Sequence, residues 1–304
     1  MKNEPQLPRL IALVLLAVIV LLLACTKTFA QQPPSTVFRT SLLDSLASNY
    51  SSSTKADLTY QGTAIGAVSV QHFEMSGSGR HEISAGRQFT FGLAYDTNLL
   101  DANAAGLLPD RLTALSVNLG FIRSLTPQWT VALFARPGFY GDLKQIDSRS
   151  LNAPVLVTAS YTPRRELAWT FALSLNSFSD IPVLPVLGVR WQVAPKWNLE
   201  LGFPHTGLTW QASEGLALRT DVVFQGGSYR VRPAAPAGPA RDDTLLDYRE
   251  IHAGAGFDCK LGQSTTLSFD AGLVINRRFD YYKLHYRLDG DSAGYLKLAL
   301  SRQF

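Results

Sequence analysis

In the segment ELAWTFALSLNSF, residues 166–178, apolar and small or polar side chains alternate without a break. Leu167, Trp169, Phe171, Leu173 and Leu175 fall on one face, and Glu166, Ala168, Thr170, Ala172, Ser174 and Asn176 on the other. A period of two places successive side chains on opposite faces of a β-strand. The same split recurs in TTLSFDAGLVIN, where Leu267, Phe269, Ala271, Leu273 and Ile275 oppose Thr266, Ser268, Asp270, Gly272 and Asn276. It recurs again in WNLELGF, where Trp197, Leu199, Leu201 and Phe203 oppose Asn198, Glu200 and Gly202. Further copies cover 88–95, 112–121, 129–137, 155–161 and 216–225. From about residue 54 to Phe304 no long stretch carries a helical period, so the chain reads as all-β.

Alternation alone fits a soluble sandwich or a transmembrane barrel, since both have two unlike strand faces. Four features favour the barrel. Several runs reach about ten residues, the length a tilted membrane strand needs. Aromatic residues gather near strand ends (Trp129, Tyr161, Trp169, Trp191, Trp197, Trp210, Tyr248), as in interfacial girdles. The apolar face is almost free of charge. Short connections at 125–128, 162–165, 193–196, 213–215 and 261–263 interleave with generally longer ones, Phe203 to Gly207 being the short exception on the loop side. The pattern therefore predicts a closed antiparallel transmembrane β-barrel with twelve clear strands from Gln88 onward and a weaker hairpin near Leu58 to Met75, hence 12 to 14 strands. An even number puts both ends of the barrel on one side of the membrane.

Composition agrees with a non-aqueous setting. Charged residues make up 17% of the 304 residues, against roughly 25% in average soluble proteins. Residues 1–30 carry Lys2 and Arg9 ahead of an uninterrupted apolar run from Leu10 to Ala24, the pattern of a secretory signal peptide. Cleavage after Ala30 is expected; the competing site before Cys25, which would give a lipid-anchored barrel, has bulky Leu23 where a smaller residue is usual. Residues 31–53, rich in Pro and Ser, read as a periplasmic linker, and 54–304 as the barrel. Without the first thirty residues, 25 Lys and Arg stand against 23 Asp and Glu, a balance that implies no nucleic-acid partner. Cys259 then stands alone, so no internal disulfide forms. The expected location is the outer membrane of a Gram-negative cell.

The final segment GYLKLALSRQF sets Leu296, Leu298, Leu300 and Phe304 at alternate positions. A terminal aromatic preceded by alternating apolar residues resembles the sorting signal read by the barrel-assembly machinery, with Arg302 standing where an apolar or aromatic residue is usual. Outer-membrane lipid and that machinery are the partners expected.

Between Leu184 and Val231 the Trp191 to Trp197 hairpin, GFP at Gly202, the following GLTWQ strand and GGSYRV at Gly226 resemble the domain of unknown function 6268, a family of outer-membrane β-barrels. Trp210 stands where Tyr would be expected. The resemblance implies fold and location; it carries no catalytic or binding residues.

The five histidines are scattered, with no HExxH, GxSxG or CxxC, so neither enzyme, metal nor cofactor chemistry is expected. The polar faces instead make Arg190, Glu200, Arg219, Asp221, Glu250, His252, Asp258, Lys260 and Asp270 lumen-facing candidates. Their mixed signs fit internal ion pairs better than a one-signed selectivity ring. A narrow, weakly selective passive channel and a filled structural barrel both satisfy this pattern. The rivals from other classes are a soluble periplasmic β-sandwich that binds carbohydrate or protein, and an outer-membrane enzyme acting on lipid.

Overall fold

The computed structural model describes residues 40–103, 106–142, 144, 147–232 and 243–304. The expected signal peptide, residues 31–39 of the expected linker and most of the arginine-bearing 232–243 connection lie outside them. Fourteen strands form one closed antiparallel barrel. Two of them, β1 (Thr40–Ser53 with Ala56–Tyr60) and β2 (Thr63–Ser84), make the first hairpin; β3 (Arg87–Ala102) and β4 (Arg111–Ser124) follow. Short breaks interrupt β5 (Trp129–Ala135, Gly138–Gly141) and β6 (Leu151–Asn152, Val155–Arg164). Then come β7 (Leu167–Leu175), β8 (Val183–Ala194), β9 (Trp197–Gly202) and β10 (His205–Gln211). Long strands complete the wall: β11 (Leu216–Val231), β12 (Thr244–Leu261), β13 (Thr265–Tyr281) and β14 (Tyr286–Gly290, Ala293–Gln303). β14 pairs with β1 from Tyr295↔Ser53 to Gln303↔Ser45, which closes the sheet and removes its edges.

This closure corrects the linker reading of residues 40–53. The stretch carries serines where a membrane strand has alternating polar positions, and it forms the first two thirds of β1. Its composition hid a strand whose inward face is mostly Ser and Asn: Ser51 and Ser53 are buried inside the barrel.

Connections sort by side. The turns at 85–86, 125–128, 165–166, 195–196, 212–215 and 262–264 lie at one end, the turn side. At the other end, the loop side, β3, β5, β7 and β11 end and β4, β6, β8 and β12 begin, and the tight turns at 61–62 and 203–204 lie there too. In the first of these two, Gln61 and Gly62 both take positive φ (49° and 81°), the geometry that joins twisted strands by a two-residue turn. The outward face carries Leu93, Val117, Leu119, Leu133, Phe171, Leu187, Leu201, Leu218, Leu273 and Leu298, all exposed, as a band that only a lipid phase would cover. All five tryptophans sit near the turn-side ends of β5–β10, with Trp129 stacked on Tyr161 (4.8 Å) and Trp197 on Trp210 (6.0 Å). Tyr248 does not join them. It is buried inside the opposite end, because β12 runs on past the apolar band and turns this ring inward.

The wall is uneven in height. β9 and β10 have 6 and 7 residues, whereas β2, β3 and β11–β13 have 16 to 22. Above the last β10 pairing, His205↔Val223, β11 parts from its short neighbour and crosses to β5, pairing Arg230 with Gly141 in parallel. Two glycines permit this. Gly226 takes φ +138°, where a Cβ would lie 2.0 Å from the Tyr248 carbonyl oxygen, and a Cβ on Gly141 would lie 2.7 Å from that of Arg230. The crossing pinches off an upper compartment enclosed by β1–β5 and β11–β14. An apolar core fills it: Leu58, Val68, Leu112, Val231, Leu246, Tyr248, Phe279, Tyr281 and Leu288 are each no more than 2% exposed.

Candidate functional site

The crossing divides the interior into a filled side, along β1–β4 and β11–β14, and an open side, along β5–β10. On the filled side, β11–β13 carry long, paired inward residues. Nearest the turns, Arg219 on β11 donates to Asp258 on β12 and Asp270 on β13, and its Nε lies 3.4 Å from Asp221. Ser268 adds a 2.6 Å hydrogen bond to Asp258. His205 on β10 extends the network, with Nδ1 2.9 Å from Glu200 and Nε2 3.3 Å from Asp221. One guanidinium thus satisfies three carboxylates, and an imidazole links them to a fourth.

Deeper lies a second layer. Arg277, wholly buried, donates Nε to Glu250, Nη1 to the Val68 carbonyl (3.1 Å) and Nη2 to Ser53 Oγ (2.5 Å). His252 Nε2 sits 2.6 Å from the other Glu250 oxygen, and its ring packs 4.5 Å from that of Tyr295. The three Arg277 donors meet a carboxylate, a carbonyl and a hydroxyl, so the charge excluded from water is fully hydrogen-bonded. Above this layer comes the apolar core, so the filled side is sealed toward the loops.

Many inward residues of the open side are small, although Phe134, Leu156 and Leu184 share its inner face. Thr158, Ser160, Thr170, Ala172, Ser174 and Gly188 face the interior, as their register against outward Val157, Phe171 and Leu187 dictates. Leu156 pairs with Ser174 on this inner face and is still 37% exposed, so the space beside it is not filled by protein. At the turn side the space widens into a cavity of about 410 Å³ whose lining includes Arg165, Glu166, Arg190, Gln192, Asn198 and Glu200. Two acids and two bases at its rim leave no net sign.

At the loop side this space is covered by residues 176–182, which fold onto the outer face of the upper compartment. Phe178 is buried there, with Arg230 stacked over its ring at 5.7 Å. Asp247 on β12 is the latch. Its carboxylate accepts from Ser179 Oγ, the Asp180 backbone N–H and Ser228 Oγ, each at 3.1 Å, and from Arg249 at 2.8 Å. Asp180 pairs with Arg249, and Tyr282 Oη donates to the Phe178 carbonyl at 3.1 Å. Burial opposes ionisation of Asp180, but its place beside Asp247 and the Arg249 charge outweigh that and hold its carboxyl below the usual range, while burial and the neighbouring Asp180 push the Asp247 carboxyl above it.

The structure brings Arg219, Asp221, Asp258 and Asp270 into one network, joins Glu200 to it through His205, and places Glu250 and His252 together one layer up. Arg190 stands apart, exposed to the cavity. Lys260 is exposed at the mouth beside the 262–264 turn and joins neither network. Leu296, Leu298 and Phe304 are exposed on the outer face of β14, Leu300 is half-buried, and Arg302 lies over the Phe304 ring at 4.9 Å.

Alternation missed Arg277 for a definite reason. A bulge in β13 between Val274 and Asn276 reverses the side on which successive residues fall, so Arg277 rather than Asn276 turns inward. His205 was hidden in a stretch that reads as a turn. The latch had no sequence signal, since Asp247 lies far from Ser179 and Asp180 along the chain.

A family profile described as domain of unknown function (DUF6268) matches residues 78–287. No curated protein matches the chain. Among solved structures, it is similar to the COG4313 outer membrane channel from Pseudomonas putida F1, with 9% identity, a TM-score of 0.47, and 90% of this chain and 100% of that one covered. It is similar to the Pseudomonas putida toluene transporter TodX at 10% identity and a TM-score of 0.43, covering 86% and 90%. For the NanC porin the values are 9% and 0.40, covering 85% and 100%. Likenesses at this level bear on neither substrate nor mechanism.

Proposed function

The chain belongs to the domain of unknown function 6268 family, and from its barrel we propose a narrow passive channel of the outer membrane. Its turn side faces the periplasm, where an exported chain with a cleaved leader would begin and end the barrel. The path follows the β5–β10 wall, from the cavity rimmed by Arg165, Glu166, Arg190 and Glu200 up to the 176–182 loop. The observation that carries this reading is the partial exposure of inward-facing Leu156 on a wall with many small inward residues, against the buried Arg277 layer and the apolar core above it on the opposite side. Small, weakly polar solutes suit such a path, because its walls offer little fixed charge and its rim is balanced in sign. Assembly machinery and outer-membrane lipid are its partners in this reading.

The sealed upper compartment favours one rival, a barrel with a structural role only. Conductance in planar bilayers separates the two. Wild-type protein is expected to show small or rare openings, and Asp247→Ala, which frees the 176–182 loop, to raise mean conductance several-fold while the protein stays heat-modifiable on gels. No conductance in either, with both folded, would leave the structural role.

A further inference from the structure

On the inner face of the filled side, away from both networks described above, β2 and β3 hold a third polar group. His72 and Glu74 are two residues apart on β2 and share a face, and Asp96 on β3 is the direct cross-strand partner of Glu74. One ligand-capable atom from each of the three lies within 4.8 Å of the others. We propose that His72, Glu74 and Asp96 bind one divalent transition-metal cation.

Three observations point to a cation. Like charges at directly opposed positions of an antiparallel pair repel, and Glu74 and Asp96 occupy such positions in a half-buried setting. Among the described residues, no Lys or Arg nitrogen lies within 4.0 Å of either carboxylate; Lys297 on β14 acts on this group only from longer range. The nearest compensation is His72 itself, with Nε2 3.0 Å from Asp96 Oδ2. Finally, His72 Nδ1 and Asn49 Oδ1 are buried without a hydrogen-bond partner, although Asn49 Nδ2 donates to Glu74 at 2.7 Å. Donor capacity at the group is therefore partly unused.

One imidazole and two carboxylates make a mixed nitrogen and oxygen donor set, which suits Zn²⁺, Mn²⁺ or Fe²⁺ and lacks the thiolates that softer ions prefer. Binding would displace the proton shared by His72 and Asp96. The patch is reachable, since the side chains of His72 and Asp96 keep 15% and 28% exposure.

The test uses the full folded chain in detergent, stripped with chelator and dialysed against Zn²⁺, with bound metal counted by mass spectrometry. One Zn²⁺ per chain is expected. His72→Ala or Asp96→Asn should weaken it at least tenfold, while His81→Ala and Cys259→Ser should leave it unchanged. Wild-type binding no greater than that of the triple variant His72→Ala, Glu74→Gln, Asp96→Asn would overturn the proposal, as would equal loss with His81→Ala. Should the variants fail to fold, Co²⁺ loaded into wild-type protein decides: visible absorption bands of a nitrogen- and oxygen-ligated ion support the site, and their absence overturns it.

Discussion

Phe304 donates its backbone N–H to the carbonyl oxygen of Asp44 at 2.9 Å, so the β14 ladder runs onto β1 to its final residue. Nine residues further along β1 the pairing still holds, at Ser53↔Tyr295. The barrel is therefore closed by the very stretch whose Ser-rich composition reads as a linker.

Deleting residues 40–53 should prevent formation of a heat-modifiable barrel, because β2 and β14 would both become open edges in the membrane. Deleting Phe304 alone should act differently. One exposed aromatic contributes at most about 1.5–3 kcal/mol of burial, so the urea midpoint should move little while the folded amount in outer membranes falls. Normal membrane levels of the Phe304 deletion would remove the assembly role proposed for this residue.

The two strand faces give a second outcome. Leu173→Arg puts a charge among exposed outward residues and should cost about 2–4 kcal/mol near the bilayer midplane. Thr170→Arg points into the open side of the interior and should cost much less. Equal urea midpoints for the two refolded variants would contradict the assignment of faces.

Removing Arg277 should be among the costliest single changes in the filled side. Arg277→Met leaves Glu250 buried without its main counter-charge, and breaking such a pair costs about 3–5 kcal/mol. Glu250→Gln combined with Arg277→Met should recover part of the loss. A double variant as unstable as Arg277→Met alone would mean that the arginine acts through packing and not through the pair.

These contrasts show how far the sequence could be read. Alternation carried the barrel and its strands, because a period of two is a local property and each strand such as Leu167–Leu175 displays it whole. It failed where local order does not determine the outcome. The bulge before Arg277 inverts the alternation, the serines of β1 resemble a linker, and the crossing of β11 to Gly141 depends on β9 and β10 being short. The latch joins residues 67 and 68 positions apart, which no nearby pattern marks.

The latch should also be sensitive to acid. Asp180 has its carboxyl held below the usual range, so its contribution is complete above the ordinary carboxylate pKa and is lost as pH falls through the lowered value. Hydrogen exchange of the 176–182 amides should accelerate on acidification beyond the intrinsic chemistry, and Asp180→Asn should flatten that dependence. An unchanged profile in Asp180→Asn would show that this pair does not hold the loop.

The division of the interior into an open and a filled side is tested most directly by thiol labelling. In a Cys259→Ser background, single cysteines replace Thr170 and Ala172 on β7 and Val274 on β13, and outer-membrane preparations are treated with a small hydrophilic thiol reagent. Cysteines at 170 and 172 are expected to react at rates close to those of an exposed turn residue, while the one at 274, fully buried beneath the Glu250 layer, stays unmodified in the folded barrel. Equal reactivity at all three positions, or silence at 170 and 172, would contradict a path along the β5–β10 wall.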